Sequence, residues 1–207
     1  ITLVGCNSYD SYDMLRSYEI YTFLSEKDPD LITFEADPKA LEIILNSRHH
    51  IEDSFSNIGL DPEQEMLDFM CIQLGESFPV IQYCMTNEKT YFPIDIPGNK
   101  TKCVRKDMET IFKGIQKEEY LRLKKPRIQD NLCQTNLYNE DIYDILDDFL
   151  SLSKRGDYMH QALRGIVTKL NKHNKLTHAG DILHLSDNPK SLYSSLLDLE
   201  PERIYLA

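Results

Sequence analysis

Two short apolar runs, each followed by a helix start signal, constrain most of what this chain can become. Ile1-Thr-Leu-Val-Gly5 reads as a buried strand ending at a glycine, and Leu31-Ile-Thr-Phe-Glu35 reads as a second. Between them, Asp10 or Ser11 can cap a helix whose apolar stripe is Met14, Tyr18, Tyr21 and Leu24. After the second run, Asp37-Pro38 sets a capping carboxylate before a proline at the first helical position, where an N–H is not needed. Strand, helix, strand, helix in so short a span predicts an α/β fold, with a mixed, mainly parallel central sheet flanked by helices.

The rest of the sequence sustains that class. Residues 62–75 have helical spacing, with Met66, Phe69, Met70 and Ile72 to Leu74 on the buried side. Phe78 to Cys84 and Thr90 to Ile96 read as strands, and Pro79 and Pro93 push each toward a strand start or a sheet edge. Residues 97–140 form an irregular middle, and the basic stretch from Arg122 to Arg127 reads as a solvated face or a partner contact. Helices are expected at 140–152 and at 157–173, where Met159, Leu163, Ile166 and Leu170 share a stripe. Leu176 to Leu185 contains strand-like segments, Asn188-Pro189 caps a last helix, and Arg203 to Leu206 closes the chain as a strand. No repeat or low-complexity tract interrupts this order, so residues 1–207 read as a single domain.

Composition narrows the function. With 207 residues and 41% hydrophobic content, the chain can build a core without disulfides or a structural metal. Its net charge of −11 repels phosphate, which disfavours direct nucleic-acid binding and anionic membranes. No apolar run is long enough to span a bilayer. Cys6, Cys71, Cys84, Cys103 and Cys133 are widely spaced without a CxxC pair, the pattern of reduced thiols in a reducing compartment. The chain opens inside an apolar run without a methionine, which suits a removed leader or upstream segment.

Neither GxGxxG nor GxxxxGK[ST] occurs, and GxSxG and HExxH are also absent. What remains is a set of polar residues at strand ends: Ser8, Glu35, Asp95, His178 and His184, with Arg155 arriving from a helix start. In an open parallel sheet, ligands bind at the carboxyl ends of the strands, so these side chains can converge there. Two readings stay open: a metal or catalytic cluster, or a set of caps and ion pairs. His49-His50 is set aside as surface, because adjacent residues project to different sides of an element.

Leu3-Val-Gly5-Cys-Asn-Ser8 is similar to a GTxH-like strand end, and Pro29-Asp30-Leu-Ile-Thr-Phe-Glu35-Ala-Asp37 to a PDxVxxELD-like strand. Glu65-Met66 follows as an acid–hydrophobic pair on a helix, and Tyr91-Phe-Pro-Ile-Asp95, Thr101 and Arg105 then come in order. Lys154-Arg155-Gly-Asp-Tyr-Met159 is similar to an ERNxxM-like helix start, and Gly180-Asp-Ile-Leu-His184-Leu185 to a GxGHL-like turn. Together this succession resembles the TraB family, which groups with GumN-like and Tiki-type proteins, along the whole chain.

The resemblance implies an α/β scaffold whose active relatives, such as the Tiki-type proteins, are divalent-metal-dependent proteases. Three departures bear on that chemistry: Ser8 stands where the family carries its first histidine, Lys154 replaces an acid, and Ile96 replaces a basic residue. A serine hydroxyl is a poor ligand for Zn²⁺, Mn²⁺ or Co²⁺ beside imidazole. The expectation is therefore a degenerate TraB-like domain, not an enzyme, with Ser8, Glu35, Glu65, Asp95, Arg155 and His184 as a vestigial cluster and no cofactor. Its expected role is as a structural or accessory subunit beside other protein subunits of a larger assembly. A mitochondrial respiratory-chain or ATP synthase complex is the expected setting. The alternative is a metal-dependent hydrolase, in which Glu35, Glu65 and Asp95 supply ligands or the general base. His184 then gives a nitrogen ligand to Mn, Co or Zn, and Arg155 clamps an oxyanion. A small-molecule binding module is the second alternative.

Overall fold

The computed structural model describes residues 1–6, 14–75, 77–98, 100–114, 116–118, 120, 152–170 and 174–206. Their elements run β1 (Thr2–Cys6), α1 (Met14–Lys27), β2 (Leu31–Phe34), α2 (Pro38–Asn46), α3 (Arg48–Asn57), α4 (Pro62–Leu74) and α5 (Ser77–Thr86). Next come β3 (Thr90–Pro93), α6 (Thr101–Phe112), α7 (Leu152–Val167), β4 (Leu176–Asp181), α8 (Leu192–Ser195) and β5 (Glu202–Tyr205). The strands form one sheet in the order β3-β2-β4-β1-β5, and every neighbouring pair is parallel. No antiparallel strand is present among the described residues, so the α/β class holds with a sheet more uniform than the expected mixed one.

Strand alternation divides the core in two. Val4, Ile32, Phe34 and Ala179 face α1 to α6, which contribute Leu24, Ile44, Phe55, Met66, Val80 and Val104. Leu3, Leu31 and Leu176 face the opposite side, against Met159 and Leu163 of α7 and Leu192 of α8. Connections leaving β2 thus go to one face and those leaving β4 go to the other. Because β2 and β4 are neighbours, a crevice opens beyond their carboxyl ends.

Several elements differ from the sequence reading. The segment Phe78 to Cys84, expected as a strand, lies inside helix α5. Pro79 is its third residue, in the first turn where no N–H is needed, and Ser77, Val80, Ile81 and Cys84 all bury. A helix apolar on most sides reads as a continuous run, which periodicity cannot tell from a buried strand. Strand β3 stops at Pro93, although Ile94 N–H still donates to the Phe34 carbonyl (2.9 Å) and Asp95 N–H to the Ala36 carbonyl (3.2 Å). The irregular middle contains a regular helix, α6. The 157–173 helix is shifted and begins by Leu152. Ser191, not Asn188, caps the short α8, and Asn188 instead accepts from Lys190 N–H (2.9 Å). The helix expected at 140–152, but for Leu152, and the basic stretch 122–127 lie outside the described residues.

Candidate functional site

The crevice beyond β2 and β4 holds the polar residues that the sequence brought forward. Glu35 follows β2, and its backbone N–H donates to the Ala179 carbonyl at 3.0 Å, which keeps the residue in line with the sheet. Its own carbonyl accepts from the Ser77 hydroxyl at 2.8 Å, tying the start of α5 to the same point. Asp95 follows β3 one strand away, and Arg155 reaches both from the first turns of α7. The Arg155 Nε donates to Asp95 Oδ1 at 3.0 Å and Nη2 to Oδ2 at 2.8 Å, a two-bond fork. Nη2 also donates to Glu35 Oε1. Glu35 Oε2 accepts from the Asp181 N–H at 2.8 Å and lies 3.5 Å from His184 Nε2, an ion-pair distance beyond good hydrogen bonding.

Burial makes these pairings strong constraints. The side chains of Glu35 and Asp95 are 2% and 0% exposed, and that of Arg155 is 13% exposed. Burial alone would raise the Glu35 carboxyl, but His184, Arg155 and the Asp181 N–H hold it well below the usual carboxylate range. Burial opposes charge on His184 too, yet the Glu35 carboxylate keeps that imidazole above its ordinary value. His178 behaves oppositely: desolvation, with His184 adding to it, pushes it down to about 4 against the pull of Glu35. It is a neutral ring, 3.1 Å from the Thr33 hydroxyl through Nδ1.

Thr33 and His178 sit in register on adjacent strands. Thr33 escaped the sequence reading, and the signal was there: a hydroxyl alternating with apolar residues inside a buried strand. Among the described residues, His178 Nε2 and both His184 ring nitrogens are buried without a hydrogen-bond partner. A methyl group built on Gly180 would lie 3.0 Å from Glu35 Oε2 and 3.1 Å from His178 Nε2, so both groups close in on the glycine too tightly for a side chain there.

Asp37 is a second convergence, adjoining the first through the chain. Its Oδ1 accepts from Lys39 N–H (2.9 Å), Ala40 N–H (3.3 Å) and Gly98 N–H (2.9 Å). Its Oδ2 accepts from Lys100 N–H (2.8 Å), Thr101 N–H (3.2 Å) and the Thr101 hydroxyl (3.2 Å). Gly98, at φ +90°, turns the chain so that these donors face one carboxylate. Burial works against the charge, but the surrounding N–H groups keep the Asp37 carboxyl below its ordinary value. Helices α2 and α6 therefore start from one shared cap.

The other candidates separate from the cluster. Glu65 is buried on α4, where its Oε2 accepts from the Tyr120 hydroxyl at 2.9 Å. None of the described contacts joins it to Glu35 or Arg155. Lys154 and Arg105 are exposed, Ile96 is half-buried and His49 is 94% exposed, as its surface reading requires. Ser8 lies outside the described residues, and so does Cys133. Cys84 is buried and Cys71 half-buried, and desolvation pushes their thiols up to about 12 and about 11, so neither forms a thiolate near neutral pH.

A divalent ion would need grouped His, Cys, Asp or Glu donors. Among the described residues no three such side chains are grouped that way. Arg155 already supplies the positive charge between Glu35 and Asp95, so the donors named for the metal-dependent alternative, Glu35, Glu65, Asp95 and His184, do not fit a metal as arranged. No helix of the described residues is long and apolar enough to cross a membrane. No protein-family model matches the chain, and no match was found among curated proteins or solved structures.

Proposed function

We propose that this chain is a non-catalytic α/β domain of TraB-like type that serves as a structural or accessory subunit of a larger protein assembly. One observation carries the reading: the Arg155 guanidinium is shared between the buried carboxylates of Glu35 and Asp95. A catalytic carboxylate needs a proton or a substrate to act upon, and these two are already committed to an internal cation. The cluster works as a clasp joining the ends of β2 and β3 to α7 and the β4 terminus. A scaffold can outlive its chemistry in this way.

Three measurements test it. Arg155→Met strands two buried anions and is expected to lower the unfolding free energy by about 3–5 kcal/mol in urea titration. The wild-type chain, assayed with Mn²⁺, Co²⁺ or Zn²⁺, is expected to cleave no peptide. In native extracts it is expected to migrate in a complex far heavier than its own 24.1 kDa, recovered with mitochondria on fractionation. Metal-dependent peptide cleavage that disappears in Glu35→Gln would overturn the reading.

The unpartnered nitrogens of His178 and His184 favour a second reading, in which the two imidazoles hold a small polar guest. That reading expects ligand-dependent thermal stabilisation without turnover, lost when His178 is replaced by Phe.

A further inference from the structure

Helix α6 buries Val104, Met108 and Ile111 and turns the opposite stripe outward. Lys102, Arg105, Lys106, Glu109 and Lys113 follow that stripe at steps of three and four residues, and all are exposed. Lys113 lies 3.7 Å from Glu109, but Lys102, Arg105 and Lys106 have no ion-pair partner among the described residues. At the stripe's end stands Phe112, 45% exposed, with its ring edge-on to His50 of α3 at a centroid distance of 6.4 Å. Arg48, on the same helix as His50, is paired with Glu52 at 2.7 Å, and Asp53 is the other acid on that turn. The result is an aromatic side chain at one end of a helix face that carries three uncommitted cations, on a chain whose net charge is −11.

An exposed aromatic can anchor an interface, and the cations along the same helix face, as its polar rim, set the charge of what docks there. The charge of the occupant follows from range. An extended polyanion covers a wide surface and so brings its charge within the Debye length of about 8 Å of the acidic remainder of this −11 chain, which disfavours nucleic acid and anionic lipid. In direct contact, Lys102, Arg105 and Lys106 dominate, and a short acidic segment presents its charge there without bringing a long anionic surface along.

We propose that the outer face of α6, with Phe112 as its anchor, docks an acidic protein segment that lays an apolar side chain on the Phe112 ring and carboxylates against Lys102, Arg105 and Lys106. The proposal rests on the assembly reading and names the chemistry of the partner.

The test places a benzophenone amino acid at position 112 of the full chain, expressed in cells and irradiated, with the adduct mapped by mass spectrometry. An adduct on an acidic protein segment, reduced roughly tenfold or more by R105E/K106E with an unchanged thermal melt, is the expected result. An adduct on a basic or neutral segment, on nucleic acid or on lipid overturns the proposal, as does one that is indifferent to charge reversal. Native electrophoresis separates the two failures. If R105E/K106E still migrates in the heavy complex at the wild-type level, the docking face is wrong and the assembly reading stands. If the wild type migrates alone, both fall.

Discussion

Glycine positions show how tightly the cluster is held. At Gly180 an added methyl lies 3.0 Å from Glu35 Oε2 and 3.1 Å from His178 Nε2, inside ordinary van der Waals contact, and both belong to a buried network that cannot slide away cheaply. At Gly156 the nearest atoms to an added methyl are 3.6 Å away or more, and the residue sits inside α7. The two substitutions are therefore opposite in sign. Gly180→Ala is expected to destabilise by roughly 1–3 kcal/mol. Gly156→Ala is expected to stabilise by roughly 0.5–1 kcal/mol, because the helix loses an entropic liability and meets no clash. Urea midpoints of the two variants read both. A neutral Gly180→Ala would mean that the carboxylate and imidazole are free to move, contrary to the clasp.

Between elements, the most economical joint is Asp37, where one carboxylate caps α2 and gathers the first N–H groups of α6. Asp37→Ala leaves buried donors of two helices without an acceptor, for an expected loss of roughly 2–4 kcal/mol. Hydrogen exchange should accelerate in the first turns of both α2 and α6 and leave α7 unchanged; acceleration in α2 alone would show that the cap is not shared.

What the sequence could convey of this was local. Asp37-Pro38 announces a helix start by chemistry, and it was legible, as were the strands around Leu3, Leu31 and Leu176. The second helix held by the same carboxylate was not, because 63 residues separate Asp37 from Lys100 and no spacing rule spans that distance. Helix α5 was misread for a related reason: its burial is decided by α1 and the sheet, not by its own alternation. In the cluster, Glu35, Asp95, Arg155 and His184 were legible as candidates from their strand-end and helix-start positions. Their shared partner, and the separation of Glu65, needed the tertiary arrangement. Ser8, the substitution on which the inactive expectation turned, lies outside the described residues.

At the scale of the whole molecule, the buried histidines set a pH dependence with two limbs. His178, at about 4 when folded against an ordinary value of 6.5, is protonated in the unfolded chain before it is in the folded one. Stability therefore rises with pH across that window, and the depressed Glu35 carboxyl adds in the same direction at the lower end. His184 has the opposite sign: its value is raised, so its contribution is complete below 6.5 and is lost as pH climbs through the folded value. Thermal melts are expected to peak near neutrality. His178→Asn should flatten the acid limb and His184→Asn the alkaline one. Relief of self-repulsion in a −11 chain opposes the acid limb, so the variants decide the matter rather than the raw profile.

The strand order carries one more consequence. Strand β1 pairs with β4 and β5 only, and β2 reaches it only through β4. During synthesis β1 is thus made before either of its strand partners, and it stays without one until some 170 further residues have been translated. The strand that bridges β1 to β2 is therefore made late, so an interrupted nascent chain that stops before Leu176 lacks the β4 that joins β1 to the β2–β3 pair.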